Sequence, residues 1–357
     1  MSVSPHLRCL FIKPKMIGDT LLLTPTLDAV RTRYPEATID VFVRSGCESI
    51  LDGSRSHNEV FTTAPPHMDE ARKTWGRTWD TMRTLRRQQY DWIFECSDTG
   101  RGRYAALVAR GRHRVLNQLE LSRHGSRFDR GLWPLVFSDS VDLELQGRHA
   151  IDSNYLLARD FLQLPPDPPI LDYRPVNFDA AAANLRVPPG FRLAPSRLVI
   201  HCGTRVAAKA WPDERWVELM RALAPQFDQI FLSTGGSTGE GELARRLAAI
   251  APEKIFFSSG LLPWNQLAAL LQGARLFIGV DTAAMHLAAA CRCPSVVIWG
   301  PTSAIIWGPR AANAVIVLDN RIARPPFAAL EGDDLTRLAT RNTTSTVIRA
   351  AKELAAG

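Results

Sequence analysis

The sequence predicts an α/β protein with two doubly wound, parallel-sheet domains, and three observations lead to this fold class. The chain has 357 residues, which is about twice the length of an ordinary domain. Short apolar runs alternate with longer amphipathic runs, as strands and helices do around a parallel sheet. The alternation stops at two proline clusters, within 165–175 and 187–196, and then starts again. We therefore expect two domains of one class joined by a proline-rich linker.

The first half is expected to begin with strands and helices in regular alternation. The expected elements are strands over 7–12, 38–43 and 91–95, and helices over 19–34, 71–88 and 151–163. Residues 99–150 fit neither the helical nor the strand period well. There we expect a helix near 104–109 and a basic stretch rich in loops.

The second half repeats the alternation with shorter connections. The expected elements are strands over 197–201, 229–232, 255–257, 276–280 and 295–299, and helices over 213–223, 240–251, 264–271, 282–290 and 344–355. The domain organisation that follows is a first domain over 1–175, a linker over 176–196, a second domain over 197–330 and a helical tail over 331–357.

The composition argues against several classes of protein. Hydrophobic residues make up 46% and charged residues 22%, as in a globular protein with sizeable cores. No apolar run approaches the roughly 18 residues of a membrane-spanning helix, and the amino terminus lacks the pattern of a signal peptide. The six cysteines are scattered, without a CxxC pair or a zinc-ligand spacing. We expect free buried thiols, no bound metal and a cytoplasmic protein.

The net charge of +7 is concentrated in one stretch. Residues 101–130 hold eight arginines against two acidic residues, which leaves a charge of +6. Such a stretch is either a solvated face or a surface for an anionic partner, such as a phosphorylated substrate or an acidic membrane. Aromatic residues are sparse there and no nucleic-acid-binding motif is present, so nucleic acid is the least favoured partner.

Candidate chemistry begins at the end of the first expected strand. The loop KPKMIGD ends in Gly18 and Asp19, and loops at the carboxyl ends of parallel strands face the ligand in open α/β sheets. Gly18 allows the backbone to approach a ligand closely. Asp19 is either a catalytic carboxylate or the cap of the helix that follows. The loop lacks both GxGxxG and GxxxxGK[ST], which disfavours a dinucleotide or P-loop site.

Three loops of the second half carry further candidates. Thr204, Arg205 and Lys209 follow the strand over 197–201 and could hold a diphosphate, or they could be scattered surface residues. A glycine-rich turn, 235–239, precedes Glu240 and favours a carboxylate on a ribose. It also contains a G-x-S-x-G, but Ser237 lies too far from the strand end for a hydrolase elbow.

The third loop has the sharpest pattern. A strand ends at Asp281, and a helix of small residues starts at Thr282, so its first amides favour a phosphate. His286 lies about one helical turn later. A lone histidine on a helix is usually structural, and Asp281 and His286 do not make a zinc pair.

Three segments in this order resemble the bacterial heptosyltransferases of lipopolysaccharide core assembly, glycosyltransferase family 9. IKPKMIGDTLLLTPTLDAVRTRYPEATIDV is similar to their first strand, Gly-Asp loop and helix. HCGTRVAAKAWPDERW is similar to their His-x-x-[ST] … Lys-x-Trp-Pro segment, and LFIGVDTAAMHLAAACRCPSVVIWGPT to their Asp-[ST]-x-x-x-His block. The likeness runs from Leu7 to about Pro309. The lysine segment and the WGPTSAIIWGP tail look closest to the heptosyltransferase III group.

The resemblance implies a GT-B fold, with an acceptor-binding and a nucleotide-sugar-binding Rossmann-like domain facing each other across a cleft. It implies an inverting, metal-independent transfer of heptose from ADP-L-glycero-β-D-manno-heptose to an inner-core lipopolysaccharide acceptor, with Asp19 as general base. The residues expected around the donor are Gly18, Thr204, Arg205, Lys209, Glu240, Asp281, Thr282 and His286. The residues expected at the anionic acceptor are Lys15, Arg110, Arg112 and Arg114. A peripheral contact with the cytoplasmic face of the inner membrane would follow.

Two features depart from the family pattern. Ala283 and Ala284 stand where many members carry glycine and proline, and residues 100–190 match little. The alternatives are a nucleotide-sugar epimerase, a GT-B enzyme with another donor or a protein acceptor, and a non-catalytic module that binds a sugar nucleotide. The presence of Asp19 argues against the non-catalytic module.

Overall fold

The chain folds into two compact units that divide between Leu171 and Asp172. The structure, a computed structural model, describes residues 6–63, 79–145, 147–235, 237–258, 260–327, 330 and 337–356. The division lies four residues before the end of the first domain expected from the sequence. Residues 172–196, expected in large part as a linker, belong to the second unit, where Phe178 and Phe191 both pack edge-on against Phe231.

The described residues of the first unit form a six-stranded parallel sheet in the order β3-β2-β1-β4-β5-β6. Its strands are β1 (Arg8–Lys13), β2 (Thr38–Arg44), β3 (Val60–Thr63), β4 (Gln89–Glu95), β5 (Arg110–Asn117) and β6 (Asp139–Val141). The central strand β1 is covered on both faces, so Leu10, Phe11 and Ile12 are fully buried. This two-sided burial is why the strand reads as a continuous apolar run.

Seven helices lie along the described part of the first unit. They are α1 (Ile17–Leu21), α2 (Thr24–Arg33), α3 (79–87), α4 (Gly100–Val108), α5 (Gln118–His124), α6 (Arg127–Val136) and α7 (Ala150–Arg159). The single helix expected over 19–34 is therefore two helices. Pro25 stands at the start of α2, a position that tolerates proline, whereas the interior of one long helix does not. Residues 71–78 of the helix expected over 71–88 lie outside the described residues.

The expectation of a loop-rich basic stretch is wrong. Residues 100–136 hold α4, β5, α5 and α6 with short connections. Strand β5 was missed because its first five residues, RGRHR, lack apolar character; its apolar residues come late, at Val115 and Leu116. Neighbouring strands supply the burial instead, since the ring of His113 stacks on Trp92 of β4 at 4.3 Å.

The second unit repeats the strand order of the first. Its described residues form a seven-stranded sheet, β13-β12-β11-β10-β7-β8-β9, in which only β13 is antiparallel. The strands are β7 (Arg197–His201), β8 (Gln229–Ser233), β9 (Ile255–Phe257), β10 (Leu276–Val280), β11 (Ser295–Ile298), β12 (Ala314–Leu318) and β13 (Arg321–Ala323). Numbered within each unit, the first six strands have the order 3-2-1-4-5-6, the order of a Rossmann fold.

The helices of the second unit agree closely with the expected ones. They are α8 (Asp213–Leu223), α9 (Thr238–Ala248), α10 (Trp264–Leu271), α11 (Ala283–Ala290), α12 (Ala304–Trp307) and α13 (Thr344–Ala355). The carboxyl-terminal helix α13 is part of the core, because Val347, Ala350 and Ala351 are buried together with residues of α8 and the sheet. No helix among the described residues has the length and apolar character needed to cross a membrane.

Candidate functional site

The strand order of each unit defines where a ligand would bind. In a doubly wound sheet, ligands bind outside the carboxyl ends of the strands, at the point where the strand order reverses. That point lies between β1 and β4 in the first unit and between β7 and β10 in the second. The loops that follow β1, β7 and β10 are the three loops in which the sequence placed its strongest candidates.

An ion pair marks this point in the second unit. Lys209 ends a short 3-10 turn after β7, Asp281 follows β10 directly, and Lys209 Nζ lies 2.6 Å from Asp281 Oδ2. The Asp281 side chain is only 5% exposed and that of Lys209 is 18% exposed. Because a largely buried carboxylate needs a partner, the pair holds the lysine ammonium at the carboxyl edge of the sheet.

A third residue, which the sequence did not indicate as part of a site, completes this group. The Thr302 hydroxyl donates a hydrogen bond to Asp281 Oδ2. Thr302 is held in turn by Trp299 at the end of β11, whose Nε1 donates to the Thr302 carbonyl at 2.7 Å. Asp281 thus accepts from a cation and a hydroxyl that reach it from two different loops.

Asn342 connects these loops from the far end of the chain. It is fully buried, and its Nδ2 donates to the Trp299 carbonyl at 2.9 Å. Its own carbonyl accepts from Trp211 Nε1 at 2.8 Å, directly after the Lys209 turn. Its Oδ1 accepts from the backbone of Asn320 in the β12–β13 turn at 3.2 Å. Neither helical nor strand periodicity singles out such a residue, so sequence reasoning missed it.

Glu240 lies where the loops after β7 and β8 approach each other. It is the third residue of α9 and forms a capping box with Ser237, which is the N-cap residue of that helix. A methyl group on Gly203 or Gly235 would collide with the Glu240 carboxylate, so both glycines are needed to let it sit against the backbone. Because Ser237 serves as a helix cap, the hydrolase reading of G-x-S-x-G has no support.

The remaining donor candidates lie in the loops and helix that follow the carboxyl ends of β7 and β10. Thr282 is the N-cap residue of α11 but does not cap it with its side chain, since its hydroxyl points back to the Val280 carbonyl. His286 is buried on the same helix, one turn in. Thr204 accepts a hydrogen bond from the Val206 amide at 3.2 Å, and Arg205 is exposed.

One residue at this edge was not among the candidates. His201 is the last residue of β7, and its Nδ1 lies 3.1 Å from Ser233 Oγ. Burial lowers the pKa of His201 to about 4, although the nearby Glu240 charge acts in the opposite direction. The ring is therefore neutral at pH 7 and adds no positive charge near Glu240. Its signal in the sequence was the histidine at the head of the HCGT segment.

In the first unit, Asp19 follows β1 as the third residue of α1, next to Gly18. The N-cap residue of α1 is Met16, so Asp19 does not cap the helix. Its side chain is half-buried, and within the described chain it makes neither a hydrogen bond nor an ion pair. A carboxylate left unpartnered at this edge of the sheet has its oxygens available to a ligand.

Two buried ionisable groups end the central strands β1 and β4 of this sheet. Lys13 ends β1, and its ammonium donates to the Cys96 carbonyl and to Asn154 Oδ1, the latter at 2.8 Å. The pKa of Lys13 is lowered mainly by burial and next by repulsion from Lys15, while the charge of Asp19 acts in the opposite direction. Glu95 ends β4, and burial raises the pKa of its carboxyl to about 7 even though Ser97 donates to it.

The arginines expected at the acceptor lie elsewhere. Arg110 is the first residue of β5, and the register places His113 level with Trp92 and Cys9, near the start of β1. Arg110 and Arg112 are thus at the amino edge of the sheet, opposite Asp19. The guanidinium of Arg114 donates hydrogen bonds to the carbonyls of Ala106 and Ala109 at the end of α4 and of Gly111 in β5. This placement argues against an acceptor role for the three. Lys15, between β1 and α1, is on the ligand edge.

A family model described as glycosyltransferase family 9 (heptosyltransferase) matches residues 78–331. The chain belongs to this family. It is therefore a glycosyltransferase, and the resemblance of its three segments is confirmed.

Curated relatives agree with this assignment. The chain is 24% identical to lipopolysaccharide heptosyltransferase 3 of Escherichia coli over 288 residues, which cover 80% of this chain and 81% of that protein. It is 27% identical to lipopolysaccharide heptosyltransferase 1 of Pseudomonas aeruginosa over 312 residues, which cover 83% of this chain and 79% of that protein.

A solved structure supports the fold class. Escherichia coli heptosyltransferase WaaC with ADP superposes with a TM-score of 0.71 at 23% identity, covering 98% of this chain and all of that chain. Together with the two parallel-sheet units, this likeness confirms the α/β, GT-B class. Within the described residues, no group of three or more histidine, cysteine, aspartate or glutamate side chains is placed to hold a metal ion.

Proposed function

We propose that this heptosyltransferase transfers heptose from ADP-L-glycero-β-D-manno-heptose to an inner-core lipopolysaccharide acceptor at the cytoplasmic face of the inner membrane, with inversion and without a metal. The observation that carries the donor half is the Lys209–Asp281 pair at the reversal point of the second sheet. A structural relative that contains ADP supports ADP as the nucleotide, and relatives named for lipopolysaccharide heptosyl transfer support heptose as the sugar and lipopolysaccharide as the acceptor.

The second unit supplies the groups that such a donor needs. An ammonium carries three hydrogen-bond donors, so Lys209 can keep Asp281 and still contact a diphosphate oxygen. The amides at the start of α11 add partial positive charge, since the Thr282 side chain leaves them uncapped. Glu240 would accept from the ribose hydroxyls, and Thr204, Arg205 and His286 would line the remaining donor contacts. These positively charged groups, placed next to the negatively charged ADP as it departs, stabilise the transition state of transfer.

The first unit supplies the base. The acceptor hydroxyl attacks the anomeric carbon on the face opposite ADP, the bond to the diphosphate breaks, and the hydroxyl proton passes to a carboxylate. Asp19 would take that proton, with Gly18 leaving room for the sugar. The charge of Asp19 acts on the buried Lys13 ammonium and opposes the fall in the pKa of that lysine. Lys15 is the basic residue that we place at the anionic acceptor.

The test is a transfer assay with purified protein. ADP-heptose, ADP-glucose and a UDP-sugar are offered with a deacylated inner-core acceptor, and release of nucleoside diphosphate and gain of one heptose on the acceptor are measured by mass spectrometry. The proposal expects turnover with ADP-heptose and a product of inverted anomeric configuration. Turnover with only another nucleotide sugar would refute the donor. Heptose on a protein but not on the oligosaccharide would refute the acceptor, and binding of ADP-heptose without turnover would refute catalysis.

A further inference from the structure

Helix α6 of the first unit exposes two large apolar side chains that the proposed chemistry does not use. Phe128 is 67% exposed and Leu135 is 84% exposed. The two residues are seven positions apart, so they lie two turns apart on one stripe of the helix. On the neighbouring helix α4, Tyr104 and Leu107 are also exposed, at 54% and 44%. Exposed aromatic and aliphatic residues clustered on adjacent helices are typical of an interaction surface.

The opposite side of α6 is firmly held. Ser126 and Asp129 form a capping box at its start, and Trp133 is 1% exposed with its Nε1 donating to Asp129 Oδ1 at 2.8 Å. The Tyr104 ring meets the Trp133 ring edge-on at 5.2 Å, which ties α6 to α4. Because these contacts fix the rotation of α6, Phe128 and Leu135 face outward as a feature of the fold.

The charge around this stripe has one sign. Arg127 and Arg130 are exposed on α6, and Arg101 is exposed on the face of α4 that also carries Tyr104. None of the three arginines forms an ion pair with a residue that the structure describes. The one acidic residue of α6, Asp129, is engaged in the capping box and lies 3.9 Å from Arg103.

We propose that α6 and the adjoining face of α4 dock on an anionic lipid bilayer. Phe128 and Leu135 would enter the interface between headgroups and acyl chains, and Arg101, Arg127 and Arg130 would contact the lipid phosphates. This inference extends the proposed function, since a lipid-anchored acceptor is presented at such a surface. A second copy of the chain fits less well, because a two-fold contact through this patch would bring like charges together.

Sedimentation with lipid vesicles tests the surface without donor or acceptor. The wild-type protein should bind vesicles of phosphatidylglycerol and phosphatidylethanolamine, and bind phosphatidylcholine vesicles far less. Phe128→Ser with Leu135→Ser should weaken the partition coefficient at least tenfold. Arg127→Gln with Arg130→Gln should weaken it roughly fivefold per arginine and flatten its dependence on salt.

Matched substitutions in the second unit serve as controls. Leu261→Ser removes an equally exposed apolar side chain, and Arg221→Gln with Arg349→Gln removes two exposed arginines of α8 and α13. Both should bind vesicles like the wild type. If they weaken binding as much as the α6 variants, if the wild type does not bind anionic vesicles, or if the α6 variants change only a monomer–dimer equilibrium, the proposal is wrong.

Two further measurements separate this proposal from the proposed function. Transfer to a deacylated, water-soluble acceptor should be unchanged in the α6 variants, so loss of vesicle binding with normal soluble transfer supports the docking surface alone. If the double apolar variant does not fold, as judged by its Tm, vesicle binding is measured with the single Leu135→Ser variant instead. That substitution should not affect folding, because the Leu135 side chain is almost fully exposed. Normal vesicle binding by a folded Leu135→Ser variant would overturn the role of α6.

Discussion

At the scale of single residues, Asp19 is the position where a small change should have the largest effect on rate. Asp19→Asn keeps the size of the side chain and removes the proton acceptor. We expect kcat to fall by roughly 10²- to 10⁴-fold, the usual loss for a general base, with donor affinity nearly unchanged. The Tm should also be unchanged, because Met16, not Asp19, is the N-cap residue of α1. Steady-state kinetics and thermal melts measure both, and an Asn variant with near-normal turnover would exclude Asp19 as the base.

Lys209 offers a second residue-scale prediction, in which binding and stability can be separated. Lys209→Met removes the cation from the proposed diphosphate site and should weaken ADP binding by about 1.5–3 kcal/mol. It also leaves the buried Asp281 carboxylate without its cation, so the Tm should fall. The double variant Lys209→Met with Asp281→Asn removes the unpaired charge and should recover much of the Tm but none of the affinity.

Calorimetry with ADP and thermal melts distinguish the outcomes for Lys209. Full ADP affinity in the folded Lys209→Met variant would place the diphosphate elsewhere. Lys254→Met is the matched control, because that ammonium bonds the Ala224 and Phe227 carbonyls away from the ligand edge.

At the scale of elements, the turn over Ala339–Arg341 and the residue after it position the donor loops. Asn342→Ala deletes the hydrogen bonds to Trp299 and to the Asn320 amide, and unsatisfied buried groups typically cost about 1–3 kcal/mol each. We expect a lower free energy of unfolding and a weaker affinity for ADP, because the Trp299–Thr302 loop loses its side-chain anchor while the contact from Trp211, next to the Lys209 turn, to the Asn342 backbone carbonyl remains.

Asn342→Asp separates positioning from general stability. An aspartate can still accept from the Asn320 amide but cannot donate to the Trp299 carbonyl. If Asn342 acts through the Trp299–Thr302 loop, the Asp variant should bind ADP as weakly as the Ala variant, at a temperature where both are fully folded. Wild-type affinity in both folded variants would leave Asn342 with a structural role alone.

Elements also show where sequence reasoning works and where it stops. Strands with apolar residues on both faces, such as β7 and β10, were predicted with the bounds that the structure has, since burial in a parallel sheet leaves a continuous apolar run. Strand β5 was not predicted, because the arginines in its first half remove the apolar pattern by which a strand is recognised. Candidate site residues that come soon after a strand, such as Lys209 and Asp281, could be predicted from the sequence. Thr302 and Asn342 act through tertiary contacts from distant segments, which no local pattern encodes.

At the scale of the whole molecule, two buried groups give stability opposite dependences on pH. Burial raises the pKa of Glu95 to about 7, so the native state holds a proton that the unfolded chain releases, and stability falls as pH rises from roughly 4.5 to 7. Burial lowers the pKa of His201 to about 4, so the unfolded chain binds a proton that the native state does not. The stability associated with neutral His201 is therefore fully present above roughly pH 6.5 and is lost as pH falls towards 4.

Substitution should reveal these two contributions separately. In denaturant titrations across pH 4–8, Glu95→Gln should gain stability relative to the wild type as pH rises from roughly 4.5 to 7, and the difference should level off above that. His201→Gln should gain relative to the wild type as pH falls below 6.5. The difference between variant and wild type is the informative quantity, because other carboxylates titrate in the same range. Parallel curves for a variant and the wild type would mean that the substituted group does not titrate as stated.

The repeated strand order has a consequence for how such an enzyme diversifies. Asp19 and Lys209 follow the first strand of their respective sheets, so one topological position carries a carboxylate in one half and an ammonium in the other. If the proton acceptor and the diphosphate cation occupy these positions, each lies in its own compact unit and on its own loop. Mutations that retarget the acceptor can then accumulate around β1 while the nucleotide pocket is inherited intact, and chimaeras joined near residue 171 should exchange acceptor preference without exchanging the donor.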